Sequence, residues 1–211
     1  MVEIILVRHG RTAYNREQII RGRADVPLDH HGRQQAALLA EALAGRGIRA
    51  IHTSPLSRAR ETGRTIAARC GLPVAESSAL IDMDFGAWQG LPWAEVERRW
   101  PDLVSIWQAD PGRFRAPEGE SLAEVQARAA AFVSRLAAES GDGSIVLVSH
   151  RVVVKAILCD VLGAGLKPFW RLRQDTAAVS VLHEYRGELA VAALNERCHL
   201  EALGRGEEID F

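Results

Sequence analysis

Val2-Glu3-Ile4-Ile5-Leu6-Val7-Arg8-His9-Gly10 decides the fold. Ile4 to Val7 is an unbroken apolar run rich in β-branched residues, the pattern of a strand covered by helices on both faces. It stops abruptly at Arg8-His9-Gly10. The same pattern returns at Ile145-Val146-Leu147-Val148 and stops at Ser149-His150. Between the two, Gly32 to Arg46 carries Ala36, Leu39, Ala40 and Leu43 at helical spacing. Ala50 to Thr53 reads as a further short strand. Ser54-Pro55 reads as the N-cap and first position of a helix that runs to Cys70 and stops at Gly71.

Downstream, Leu80 to Gly119 holds Trp88, Trp93, Trp100, Trp107 and Pro92, Pro101, Pro111 and Pro117, and reads as loops and short helices. Ser121-Leu122-Ala123-Glu124 has capping-box form and opens a helix with Leu122, Val125, Ala129, Phe132 and Leu136 on one face. A helix follows His150 to about Leu162. Ala178 to Glu184 and Leu189 to Leu194 read as strands of a hairpin around Arg186-Gly187. Alternating strand and helix patterns predict a three-layer α/β/α sandwich with a mainly parallel central sheet. Residues 1–211 are expected to form a single domain, with the Trp-rich stretch at about 80–119 an excursion over the site.

The formal net charge is -1, so no global field favours nucleic acid or an anionic membrane. Residues 1–69 nevertheless hold twelve Arg and no Lys against six acids. Many such Arg decorate solvated helix faces, but a convergent subset is suited to phosphate, because the planar guanidinium fork pairs two oxygens at once. Cys70, Cys159 and Cys198 have neither metal spacing nor a disulfide pattern. The first apolar run is too short for a signal peptide or a membrane span, so a cytoplasmic protein is expected.

His9 and His150 each follow a buried strand. Ligands of open parallel sheets bind beyond the carboxyl ends of strands, so two such histidines are placed to face one pocket. Either alone reads as a strand-end histidine satisfied by hydrogen bonds; both together, beside Arg8, read as a site. Gly10 permits close backbone approach, and Thr12 and Asn15 offer short polar side chains to phosphate oxygens. Arg58 falls in the first turn of its helix, where free backbone N–H groups and the helix dipole also favour an anion.

The stretch Arg8-His9-Gly10-Arg11-Thr12-Ala13-Tyr14-Asn15 resembles the signature of the histidine phosphatase superfamily, the phosphoglycerate-mutase-like proteins. The resemblance continues through Gly22 to Leu28, Gly32 to Ala36, Ser54 to Thr62, Asp84 to Gly90, Gly119 to Leu122 and Val148-Ser149-His150, in family order. It implies that His9 is the nucleophile that becomes phosphohistidine, and that Arg8, Arg58 and His150 bind the transferring group, with Asn15 in contact with it or with nearby substrate. The family's general acid is usually Glu; the matching position here is Asp82, one methylene shorter, with Asp84 as the competitor. Many relatives carry Gly-Gly after the second histidine, whereas this chain has Arg151-Val152. Arg151 is thus either a pocket cation or a residue pointing outward from the helix start.

Phosphoryl transfer builds up charge in its transition state, so fixed cations are its main requirement. Two Arg and a second His supply them, and no metal or other cofactor is called for. The resemblance implies a phosphomonoesterase acting on a small phosphorylated metabolite. The alternatives are a phosphoglycerate mutase and a non-enzymatic phospho-ligand-binding relative. Chain length favours the phosphatase over the mutase, as does Arg21, where mutases commonly carry a small hydroxyl residue. Arg21, Gly22 and Arg151 are the candidate substrate contacts. Arg23, Arg113 and Arg115 are further candidates for a second anionic group, and Trp88 and Trp107 for the pocket wall. A homodimer is left open; neither nucleic acid nor membrane is an expected partner.

Overall fold

The computed structural model describes residues 2–139 and 141–204. Six strands, β1 (Val2–Arg8), β2 (Ile48–Thr53), β3 (Ala75–Glu76), β4 (Gly143–Ser149), β5 (Val179–Tyr185) and β6 (Glu188–Glu196), form one sheet in the order β3-β2-β4-β1-β5-β6. β1, β2, β3 and β4 are mutually parallel, and β5 and β6 run antiparallel at one edge. Their hairpin turns at Arg186 and Gly187, both with positive φ (55° and 84°), the backbone twist that two-residue hairpin loops require.

Ile4, Ile5, Leu6 and Val7 are fully buried because β1 is central and covered on both sides. Ile4 and Leu6 pack with α6 (Leu122–Glu139) and α7 (Arg151–Val161); Ile5 and Val7 pack with α2 (His30–Leu43) and α3 (Ser57–Cys70). That alternation is the period of a strand feeding two cores, and it makes the three-layer sandwich expected from sequence. Each such burial contributes about 1.5–3 kcal/mol before chain entropy is set against it.

After the single-turn helix α1 (Ala13–Arg16), two helix starts differ from the sequence reading. α2 begins at His30, because the Asp29 carboxylate caps it by accepting the Gly32 N–H at 2.7 Å. α3 begins at Ser57, two residues later than a Ser54 cap implies; the carboxylate of the distant Asp25 accepts the Ser57 N–H at 2.7 Å. Ser54 is used for something else, described below. The Ser121–Glu124 capping box forms as expected, with reciprocal bonds of 3.3 and 2.9 Å.

The Trp-rich stretch contains two helices, α4 (Trp93–Arg99) and α5 (Pro101–Ala109), together with single 3-10 turns. Two of its prolines sit at helix starts: Pro92 at the N-cap of α4 and Pro101 in the first turn of α5. Trp88, Trp107 and Phe114 pack with ring centroids 4.8 Å apart in the pairs Trp88–Phe114 and Trp107–Phe114, so the excursion has its own aromatic core. Among the described residues, no helix is long and apolar enough to cross a membrane.

Candidate active site

The parallel register of β1 and β4 pairs Val7 with Val148 and Arg8 with Ser149. The residues that follow, His9 and His150, therefore leave the sheet side by side. The His9 N–H donates to the Ser149 carbonyl at 3.0 Å, and the imidazole centroids are 5.1 Å apart. Both rings are 1% exposed.

His9 Nδ1 donates to its neighbour's carbonyl, Gly10 O, at 2.7 Å. A carbonyl only accepts, so the proton sits on Nδ1 and the Nε2 lone pair is available. The turn that carries the ring is pinned at several points. Gly10 N–H donates to Thr62 Oγ1 at 3.2 Å, Arg11 N–H to Gln35 Oε1 at 2.8 Å, and Ala177 N–H to His9 O at 3.1 Å. The turn also lies directly against α2. A Cβ on Gly10 would collide with the Gly32 carbonyl, and one on Gly32 with the backbone of Arg11.

His150 has the opposite tautomer. Its Nδ1 accepts from Arg58 Nε at 3.2 Å, so Nε2 carries the proton and donates to Ser54 Oγ at 2.8 Å. Arg58 is fully buried and spreads its fork widely: Nη1 donates to Ala24 O and Nη2 to Gly22 O, both at 2.8 Å, and Nη2 also to Asp82 Oδ2 at 3.1 Å. Burial pushes its pKa down to about 10, which leaves it charged at neutral pH. Arg8, also buried, donates from Nη1 to Gln174 O at 2.7 Å.

Burial holds His9 well below the ordinary histidine pKa, and the charges of Arg58, Arg8 and Arg21 add to the effect. His150 is depressed in the same way by burial, Arg58, His9 and Arg21. The site is thus two neutral imidazoles among three guanidiniums, a strongly positive pocket in which the unprotonated nitrogen of His150 faces Arg58 and that of His9 is Nε2. Asp82 is its carboxylate; Oδ2 lies 3.5 Å from His150 Nδ1, and Oδ1 accepts the Met83 N–H at 2.9 Å. His9, Arg21, Gly22, Asp82 and Arg151 line one cleft, walled by Phe85, Trp93 and Trp107. Among the described residues, no group of three or more His, Cys, Asp or Glu stands ready to hold a metal.

The sequence profile described as the histidine phosphatase superfamily (branch 1) matches residues 4–197. The chain belongs to that superfamily. This histidine phosphatase relative is 34% identical over 200 residues to phosphoserine phosphatase 1 of Hydrogenobacter thermophilus, with 95% of each chain covered. It is 33% identical over 183 residues to a probable phosphoglycerate mutase, GpmB, of Yersinia enterocolitica, covering 85% of this chain and 84% of that one. Its fold matches a mycobacterial glucosyl-3-phosphoglycerate phosphatase complexed with VO3 at a TM-score of 0.85, with 29% identity and coverage of 92% and 99%.

The sequence-predicted residues of this superfamily member fall into three groups. Arg8, His9, Arg21, Gly22, Arg58, Asp82, His150 and Arg151 converge on the cleft or the buried charges behind it. Thr12 and Asn15 brace one another. The Thr12 hydroxyl and N–H both donate to Asn15 Oδ1 at 2.9 Å. Other candidates turn elsewhere. Arg23 pairs with Asp84 at 3.3 Å and Glu120 at 3.0 Å, Arg115 pairs with Glu124, and Trp88 is 0% exposed in the aromatic core. The sequence reading missed Ser54 as the partner of His150, Gln174 O as the holder of Arg8, and Phe85 and Trp93 as cleft walls.

Proposed function

We propose that the chain is a metal-independent phosphomonoesterase that works through phospho-His9 on a small phosphorylated metabolite. The His9 Nδ1–H···O Gly10 bond carries this reading, because it leaves Nε2 unprotonated in a pocket of fixed positive charge. Nε2 attacks phosphorus as the bond to the ester oxygen breaks. Asp82, in its carboxylic acid form, gives the leaving oxygen its proton. The resulting carboxylate then takes a proton from the water that attacks phospho-His9, which releases phosphate and restores Nε2. Arg8, Arg58 and His150 neutralise the charge on the transferring group, with the Asn15 amide beside them and Thr12 bracing it. Arg21, Gly22 and Arg151 meet the rest of the substrate. All of this takes place in one domain.

Incubation with a phosphomonoester, followed by denaturation in SDS at alkaline pH, tests the nucleophile. Wild type is expected to carry acid-labile, base-stable phosphate, and His9→Ala none; normal labelling of the variant removes His9 from the mechanism. The similarity to probable phosphoglycerate mutases supports a second reading, return of the phosphoryl group to bound substrate. Assaying phosphoserine and 3-phosphoglycerate for both free phosphate and isomerised ester separates the two.

A further inference from the structure

Arg151 is the first residue of α7, directly after His150, and it lines the cleft together with Val152 and Trp107. Its guanidinium carbon lies 5.9 Å from the ring centroid of Trp170. One helical turn further on, Lys155 is 3% exposed and places Nζ 4.5 Å from the same ring and 4.1 Å from that of Phe169. Trp170 therefore lies against both cations of one helix face. Its rotation is fixed as well: Nε1 donates to Trp107 O at 2.7 Å, and the ring meets Trp107 and Phe169 edge-on, with centroids 5.1 and 5.0 Å apart. Arg side chains otherwise sample many rotamers; this one has an aromatic shelf.

The charges in the cleft divide. Arg8, Arg21 and Arg58 are the cations that dominate the surroundings of His9, where a phosphoryl group transfers; Arg151 is not among them. Arg151 lines the same cleft as Arg21, and Phe85, Trp93, Trp107 and Val152 are part of that lining. A single planar cation matches a single carboxylate in charge and in fork geometry.

Resting on the phosphatase reading, we infer that Arg151 recognises a carboxylate on the substrate, beside the phosphoester, and that Trp170 is the positioning residue that aims it. Phosphoserine and phosphoethanolamine differ only in that carboxylate and form the test pair. Two quantities are measured: kcat and KM for each ester, and the binding of each ester to the His9→Ala protein. Wild type is expected to favour phosphoserine in kcat/KM by about tenfold or more, the scale of one charge-assisted pairing. Arg151→Met brings the ratio close to one. Trp170→Leu lowers it through KM for phosphoserine, and Trp170→Phe, which keeps an aromatic face, restores most of it. Equal handling of the two esters by wild type, including failure to bind either, overturns the inference. So does a ratio that survives Arg151→Met. Hydrolysis of both esters without preference, with His9 still labelled, rejects the carboxylate contact and leaves the phosphohistidine chemistry standing.

Discussion

At the scale of single residues, the two candidate acids are separated by their surroundings. Asp82 lines the cleft with His9 and contacts Arg58, whereas Asp84 turns back to accept the Gly86 N–H at 2.9 Å and to pair with Arg23. Asp82→Asn is therefore expected to lower kcat by about 10²–10⁴-fold, the range typical of a lost general acid, while Asp84→Asn acts mainly on stability by loosening the turn. Steady-state kinetics with an ordinary alkyl ester checks the ranking, and the reverse order moves the acid to Asp84. The side chains proposed to do the chemistry were legible in the sequence, because Arg8, His9, Arg58 and His150 sit at strand ends and a helix start that the hydrophobic pattern locates. Their holders were not. Ser54 is 96 residues from His150, and the Gln174 carbonyl is 166 residues from Arg8. A backbone oxygen has no sequence signature at that range.

At the scale of elements, the pattern was legible where burial is symmetric and weak where it is not. β1 and β4 are apolar on both faces and stood out. β3 is two exposed residues paired to β2, with Glu76 3.7 Å from Arg60, and nothing in its composition marks it. α2 shows how an element start can matter to the site: capping by Asp29 puts Gly32 in the first turn, against the turn that carries His9. Gly32→Ala tests this, because helix propensity and packing predict opposite signs. Propensity alone favours Ala by about 1 kcal/mol. The added methyl must instead push α2 away from the Arg11 backbone, and overpacking of this kind costs about 1–3 kcal/mol. The expected result is a lower denaturant midpoint together with a fall in kcat, since His9 moves with the turn. A stabilised variant with full activity would show that the two backbones are not in contact.

At the scale of the whole molecule, the fold holds two imidazoles neutral that the unfolded chain does not. His9 and His150 both have pKa values well below the ordinary 6.5, from burial and the neighbouring guanidiniums. Above pH 6.5 both states carry neutral imidazoles and nothing is lost. Below it the unfolded chain takes up protons that the fold refuses, so stability falls as the pH drops, by at most about 1.4 kcal/mol per pH unit for each histidine. Thermal unfolding followed between pH 7.5 and 5.5, above the range where most carboxylates titrate, should show the midpoint declining steadily on the acid side. His150→Gln removes one of the two groups and is expected to remove up to half of the decline, less by the share of His52 and His199, which burial also lowers. Inorganic phosphate supplies the converse arm. An anion among Arg8, Arg58 and Arg21 offsets the field that keeps the imidazoles neutral, raises their folded pKa values toward 6.5, and should flatten the slope as well as raise the midpoint. A midpoint independent of pH across this window, or a slope untouched by both His150→Gln and phosphate, would mean that the buried pair is protonated in the fold, and His9 would then lack the lone pair that its proposed chemistry requires.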